Sequence, residues 1–327
     1  MTQWARAMCA VAVAATLTGV GTTVGVAQAD SQPYLPAPGI ESKYFQQGPW
    51  AVTEEIGFGC CDSTGAKYDV WHPTDLGAGS AKHPIVVWGD GTKAVPSQYA
   101  YLLRHLASWG FVVIGTENQQ TGSGSDILGS LSYLKGLAAD PASMFFGKLD
   151  TAAAGAMGHS QGASGVLNAM VASEGAIKTA VPIEIPAQLW CSSGTTCADS
   201  RKLTSGSVFF VNGSADRFIS PSTQALPWQA VGLQSNQAYY EATATSVPKV
   251  WATLNGPDHN DVQGRPDCAQ ASTPCTSGVY GYLGYPTAWM MAQLRDDAEA
   301  RDAFRTGTGE FLAPAPNWRN QSSTVSR

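Results

Sequence analysis

Apolar residues in this chain fall mainly in short unbroken runs rather than in alternation. Pro84 to Trp88 (PIVVW), Phe111 to Gly115 (FVVIG), Val208 to Asn212 (VFFVN) and Lys249 to Leu254 are the clearest. Runs of this length, rich in β-branched and aromatic residues, predict strands buried on both faces. Thr151 to Met157 and Lys178 to Glu184 add two more strand candidates, and Lys67 to Trp71 alternates as an earlier strand. Helical spacing lies between them. Ser97 to Trp109 puts Tyr99, Leu102, Leu103 and Leu106 on one face and stops at Gly110. Ser125 to Ala139, Ala163 to Ala172, Pro221 to Val231 and Thr287 to Phe304 predict further helices, while Asp30 to about Gly48 reads as an extended lead-in. Strands alternating with helices imply an α/β fold, a mainly parallel sheet with helices on both faces. There is no internal repeat.

The first 29 residues stand apart from this pattern. Arg6 precedes an uncharged stretch of small and apolar residues from Ala7 to Val26, and Ala27-Gln28-Ala29 fits a cleavage site before Asp30. This reads as a secretory signal peptide. A transmembrane anchor is the alternative, weakened by Gly19, Gly21 and Gly25 and by the cleavage site. Removing 29 of 327 residues leaves 298, enough for one large catalytic domain from Asp30 to Arg327. A formal charge of −6 without a basic run excludes a nucleic-acid footprint.

Export changes how the cysteines read. Cys9 leaves with the leader, and Cys60, Cys61, Cys191, Cys197, Cys268 and Cys275 remain. An even set in an exported chain implies disulfides. Cys191–Cys197 and Cys268–Cys275 are the first choices. Cys60 and Cys61 either bond to each other or pair elsewhere. Zinc is disfavoured, because no C-x₂-C spacing occurs.

The candidate chemistry centres on Gly158-His159-Ser160-Gln161-Gly162, a Gly-x-Ser-x-Gly element that occurs once, after a strand and before a helix. A serine on such a turn is strained and exposed above the sheet, and the following helix N-terminus favours a developing oxyanion. The serine needs a base. His72 and His83 precede the elbow, His105 lies on a helix, and His159 is expected to point away from the catalytic face. His259, in the loop after the last buried strand, completes the order Ser…Asp…His. Asp216 follows the VFFVN strand and is the acid of choice. Asp258 and Asp261 lie too near His259 in sequence, and Asp199 sits in a cysteine-bounded loop. The backbone N–H of Gln161 and that of Thr92, with Gly91 as second choice, would form the oxyanion hole.

Several segments resemble the secreted cutinase-like polyester hydrolases and related actinobacterial lipases of the α/β-hydrolase superfamily. They are Gly147 to Gly165, Leu106 to Ile114, Val211 to Asp216 with Ser220 to Pro227, Leu254 to His259, and Pro286 to Phe304. The resemblance implies the α/β-hydrolase fold, a Ser160–Asp216–His259 triad, and ester hydrolysis with no metal or cofactor. It implies a shallow cleft lined by Thr92, Gln161, Gly91 and Trp190, although a tryptophan there fits loop packing equally well. The family carries an aromatic residue where Thr92 stands and a methionine where Gln161 stands. Two polar side chains there would weaken an apolar clamp, so ester hydrolysis follows from the resemblance but polyester activity does not. The expected protein is a secreted monomer acting on esters, lipid or polyester among them, with no stable membrane anchor. Rival readings are an acyltransferase of the same fold, a non-catalytic extracellular binding protein and, more distantly, a peptidase.

Overall fold

The computed structural model describes residues 34–191, 196–223 and 232–326. The expected signal peptide and most of the helix expected over Pro221 to Val231 lie outside the described residues. In chain order the elements are α1 (Ile40–Phe45), β1 (Val52–Cys60), β2 (Lys67–Pro73), β3 (His83–Gly89), α2 (Ala100–Ser108), β4 (Val112–Thr116), α3 (Ser125–Ala139), β5 (Leu149–His159), α4 (Gln161–Ala172), β6 (Thr179–Ile183), β7 (Ser207–Gly213), α5 (Asn236–Ala242), β8 (Lys249–Leu254), α6 (Gly284–Leu294), α7 (Ala298–Ala303) and β9 (Trp318–Ser323).

The strands form one sheet in the order β1-β2-β4-β3-β5-β6-β7-β8-β9. From β4 to β8 every neighbouring pair is parallel. The β1–β2, β2–β4 and β8–β9 pairs are antiparallel. The unbroken apolar runs are the parallel strands, since a strand covered on both faces needs apolar side chains at every position. Successive residues go to opposite layers. Val86, Trp88, Phe209 and Val211 join the layer that holds α1, α2, α6 and α7. Ile85, Val87, Val208 and Phe210 join the layer that holds α3, α4 and α5. This is the α/β-hydrolase architecture.

Three expectations are corrected. The lead-in contains α1, and β1 follows it, an edge strand whose residues are all partly or fully exposed and which therefore lacks an apolar run. The helix expected over Thr287 to Phe304 is two helices. Asp296 adopts φ 52°, and the Asp297 carboxylate caps α7 by accepting the Ala300 N–H. The helix expected from Ser97 starts with a 3₁₀ turn, Pro96–Tyr99, before α2. Gly110, at φ 93°, provides the left-handed residue that ends α2.

Beneath β7 the core is aromatic. The Phe304 ring lies 5.2 Å from Trp289, 5.3 Å from Phe311 and 5.9 Å from both Phe209 and Tyr285. Phe304 is fully buried. Phe304→Ala is expected to cost about 3–5 kcal/mol of unfolding free energy in urea, from lost burial plus the cavity left behind. A loss of under about 1 kcal/mol would contradict this packing.

Candidate active site

Ser160 occupies the single position between β5 and α4, at φ 54° and ψ −121°. A non-glycine residue at positive φ is strained and persists only where packing fixes it. Packing does so here. A Cβ on Gly158 would lie 2.5 Å from the Gly162 carbonyl oxygen, and one on Gly162 would lie 2.1 Å from the Gly89 carbonyl oxygen. Strand, turn and helix meet too closely for a side chain at either glycine. Ser160 is the N-cap of α4, yet its hydroxyl makes no cap bond. It faces His259 instead, with Oγ 2.9 Å from Nε2.

The other side of the His259 ring meets Asp216, whose Oδ2 is 2.6 Å from Nδ1. A carboxylate only accepts, so Nδ1 carries the proton and Nε2 accepts from Ser160 Oγ. Burial alone would raise the Asp216 carboxyl. The His259 bond and charge, with the N–H groups of Ser220 and Ile219, outweigh burial and hold the pKa below the usual range. The three side chains come from loops after β5, β7 and β8, at the C-terminal edge of the parallel strands, where open α/β sheets place their sites.

The rival acids and histidines have other work. Asp261 accepts N–H groups from Asp258, Thr276, Ser277 and Gly278, which shapes the loop that carries His259. Asp258 accepts the His259 N–H, and Asp199 pairs with Arg201. His72, His83 and His105 each bond a backbone carbonyl, at Pro73, Gly110 and Tyr44 respectively. Cys268–Cys275 and Cys191–Cys197 are disulfides, and the pairing left open at Cys60 is with its neighbour Cys61.

A cavity of about 360 Å³ opens over Ser160, lined by Gly91, Thr92, His159, Gln161, Pro186, Trp190, Ile219, His259, Asn260 and Gln263. Trp190 belongs to this wall rather than to loop packing. It is 45% exposed and its indole N–H donates to the Phe218 carbonyl at 2.7 Å. The Gln161 N–H sits in the first turn of α4, where no intrahelical acceptor exists. The Gly91 N–H donates to the Tyr99 hydroxyl at 3.1 Å, so this second-choice oxyanion donor already has an acceptor.

Two expectations about the elbow change. The His159 side chain does not point away. It lines the cavity and lies against the His259 ring, tilted by 47° at 4.8 Å between centroids. The Gln161 side chain does not present a free polar group. It is 2% exposed, accepts from Gly122 N–H and donates to Thr92 Oγ1 and Gln120 Oε1. It braces α4 against two loops, one of them carrying Thr92.

The PET hydrolase-like family model matches residues 27–252. Over 184 residues the chain is 33% identical to the bis(hydroxyethyl) terephthalate hydrolase of Streptomyces coelicolor, across 54% of this chain and 55% of that protein. The chain thus spans about half the length of this curated relative. The family match includes Ser160 and Asp216 and ends before His259.

A further group near the site gave no signal in the sequence. Glu184, directly after β6, is fully buried at φ 51°. Its Oε1 accepts from Gly213 N–H at 2.5 Å and Tyr282 Oη at 2.6 Å. Burial, then the Asp216 charge, push its pKa well above the ordinary carboxylate value, which favours the protonated form. An unfolded glutamate ionises from the ordinary range upward while the folded one does not, so this group erodes stability as pH rises. Glu184→Gln keeps the acceptor and removes the titration. Its urea midpoint, relative to the parent, should rise from about pH 5 to pH 8. A constant difference across that window would contradict a protonated Glu184.

Proposed function

We propose that this chain, which belongs to the PET hydrolase-like family, hydrolyses carboxylic esters through a covalent acyl-enzyme on Ser160. The observation that carries the proposal is the continuous hydrogen-bond line Asp216–His259–Ser160 at the floor of a cavity. Ser160 Oγ attacks the ester carbonyl carbon as His259 Nε2 takes its proton. Asp216 holds the imidazole in the required tautomer and stabilises the imidazolium. The N–H groups of Gln161 and Thr92 bind the tetrahedral oxyanion. The carbon–oxygen bond to the alcohol then breaks, and His259 protonates the leaving oxygen. Water attacks the acyl-enzyme with His259 as base, the acid leaves, and Ser160 regains its proton.

The cavity supports a compact substrate. Trp190, Pro186 and Ile219 give an apolar wall suited to a ring or a short chain, and Asn260 and Gln263 give a polar one. A volume of about 360 Å³ accommodates an ester with a single ring. The activity in the relative's name, on a terephthalate bearing two hydroxyethyl groups, fits those dimensions. The leader-like N-terminus and the disulfides support export. No helix among the described residues is long and apolar enough to cross a membrane.

Ser160→Ala should lower kcat/KM on a short chromogenic ester by about four orders of magnitude or more, since a triad without its nucleophile keeps little catalysis. Near-parental turnover by the purified variant would overturn the assignment. Across an ester panel, soluble single-ring diesters should be hydrolysed faster per active site than polyester film. The reverse preference would contradict the compact-cavity reading.

A further inference from the structure

Tyr99, the last residue before α2, is fully buried beneath the site. Its hydroxyl meets three partners: His159 Nδ1 at 2.9 Å, Gly91 N at 3.1 Å and Gln263 Nε2 at 3.1 Å. The chemistry of the groups fixes the protons. His159 Nε2 lies 2.7 Å from the His259 carbonyl oxygen, which can only accept, so Nε2 bears the hydrogen. Burial, then the neighbouring His259, push the His159 pKa well below its ordinary value, so the ring is neutral. A neutral imidazole has one N–H, and Nδ1 therefore accepts. Tyr99 donates its one proton there, and its oxygen accepts from the Gly91 N–H and the Gln263 amide.

This closed set of bonds spans parts of the site that the sheet does not join. Gly91 and Thr92 follow β3, and His259 follows β8, with β5, β6 and β7 between them. His159, at the end of β5, bridges the gap. The fit at Gly91 is tight: a Cβ there would lie 2.9 Å from both His159 Nδ1 and Tyr99 Oη. Gln263 in turn accepts from Ser272 N–H, within the loop closed by Cys268–Cys275. We infer that Tyr99 and His159 are positioning residues that clamp the oxyanion-binding loop to the loop carrying the catalytic base. The inference rests on the ester-hydrolase reading. Donors must sit where the oxyanion forms, and small displacements of positioned groups are costly to rate. Tyr99 does not line the cavity, and the hydrogen bonds of His159 go to Tyr99 and the His259 carbonyl rather than to Ser160 or the His259 ring nitrogens.

The test is Tyr99→Phe, which keeps the ring and deletes one oxygen. Active sites are counted with a chromogenic phosphonate that labels Ser160, and rates are expressed per titrated site. The expected result is a fall in kcat of about 10- to 100-fold with KM within about twofold, as for a lost interaction realised in the transition state. His159→Ala should give a comparable fall, and the double variant should lose little beyond the larger single loss, because both act through one network. A parental kcat per titrated site in Tyr99→Phe would overturn the inference. So would losses confined to KM or to the number of titrated sites, or losses that simply multiply in the double variant. If Ser160→Ala is inactive while Tyr99→Phe is parental, the clamp fails and the hydrolase reading stands. If Ser160→Ala remains active, the hydrolase reading itself fails.

Discussion

The close approach of three backbones at the Ser160 turn is the constraint on which the rest of the site depends. The Gly162 Cα side of α4 lies against the Gly89 carbonyl at the end of β3, and Gly158 lies against Gly162. No side chain fits at either glycine, and that contact holds Ser160 in a backbone conformation it would otherwise avoid. Three consequences follow together. The hydroxyl leaves the cap of its own helix and faces His259. Gln161, the first residue of α4, lines the cavity with an N–H that has no intrahelical acceptor. The loop after β3 is drawn up beside the nucleophile, where Gln161 and Thr92 join side chains.

Burial treats the three carboxyl groups around this turn differently because their partners differ. Asp216, Glu184 and Asp90 are all buried, and burial is the largest influence on each. Asp216 has a histidine and several main-chain N–H groups, which outweigh burial and keep it ionised. Glu184 has one hydroxyl and one N–H, and Asp90 has the Trp88 indole. Those partners do not offset burial, so both pKa values are pushed well above the ordinary carboxylate value. Asp216 is thus the acid that bonds the His259 ring, while Glu184, within about 4.8 Å of the same groups, is held by Gly213 and Tyr282 instead.

Legibility in the sequence followed burial and chain order. The parallel strands announced themselves because two-sided burial demands unbroken apolar runs, and Ser160, Asp216 and His259 stood in an order that one fold uses. The edge strands β1 and β9 carry residues such as Glu54, Glu55, Arg319 and Asn320, and no periodic signal marks them. The break between α6 and α7 was hidden because apolar spacing continues through Asp296 and Asp297, and only the Asp297 cap reveals it. The expectation for His159 fails because strand alternation ends where Ser160 turns to positive φ. The bonding of the Gln161 side chain is not legible locally, because its donor, the Gly122 N–H, and its acceptor Gln120 lie about forty positions earlier, beyond the reach of local pattern. Glu184 and Tyr99 were silent for the same reason: their partners come from distant loops.

The central claim is that Ser160 carries the acyl group during turnover. The direct measurement is acid quenching of the enzyme during steady-state hydrolysis of an activated ester, followed by peptide mass mapping. The account requires the acyl mass increment on the peptide that contains Ser160, formed faster than the steady-state rate and absent after Asp216 and His259 are both replaced by alanine. An unmodified Ser160 peptide during full turnover, or the increment on another residue, would contradict it.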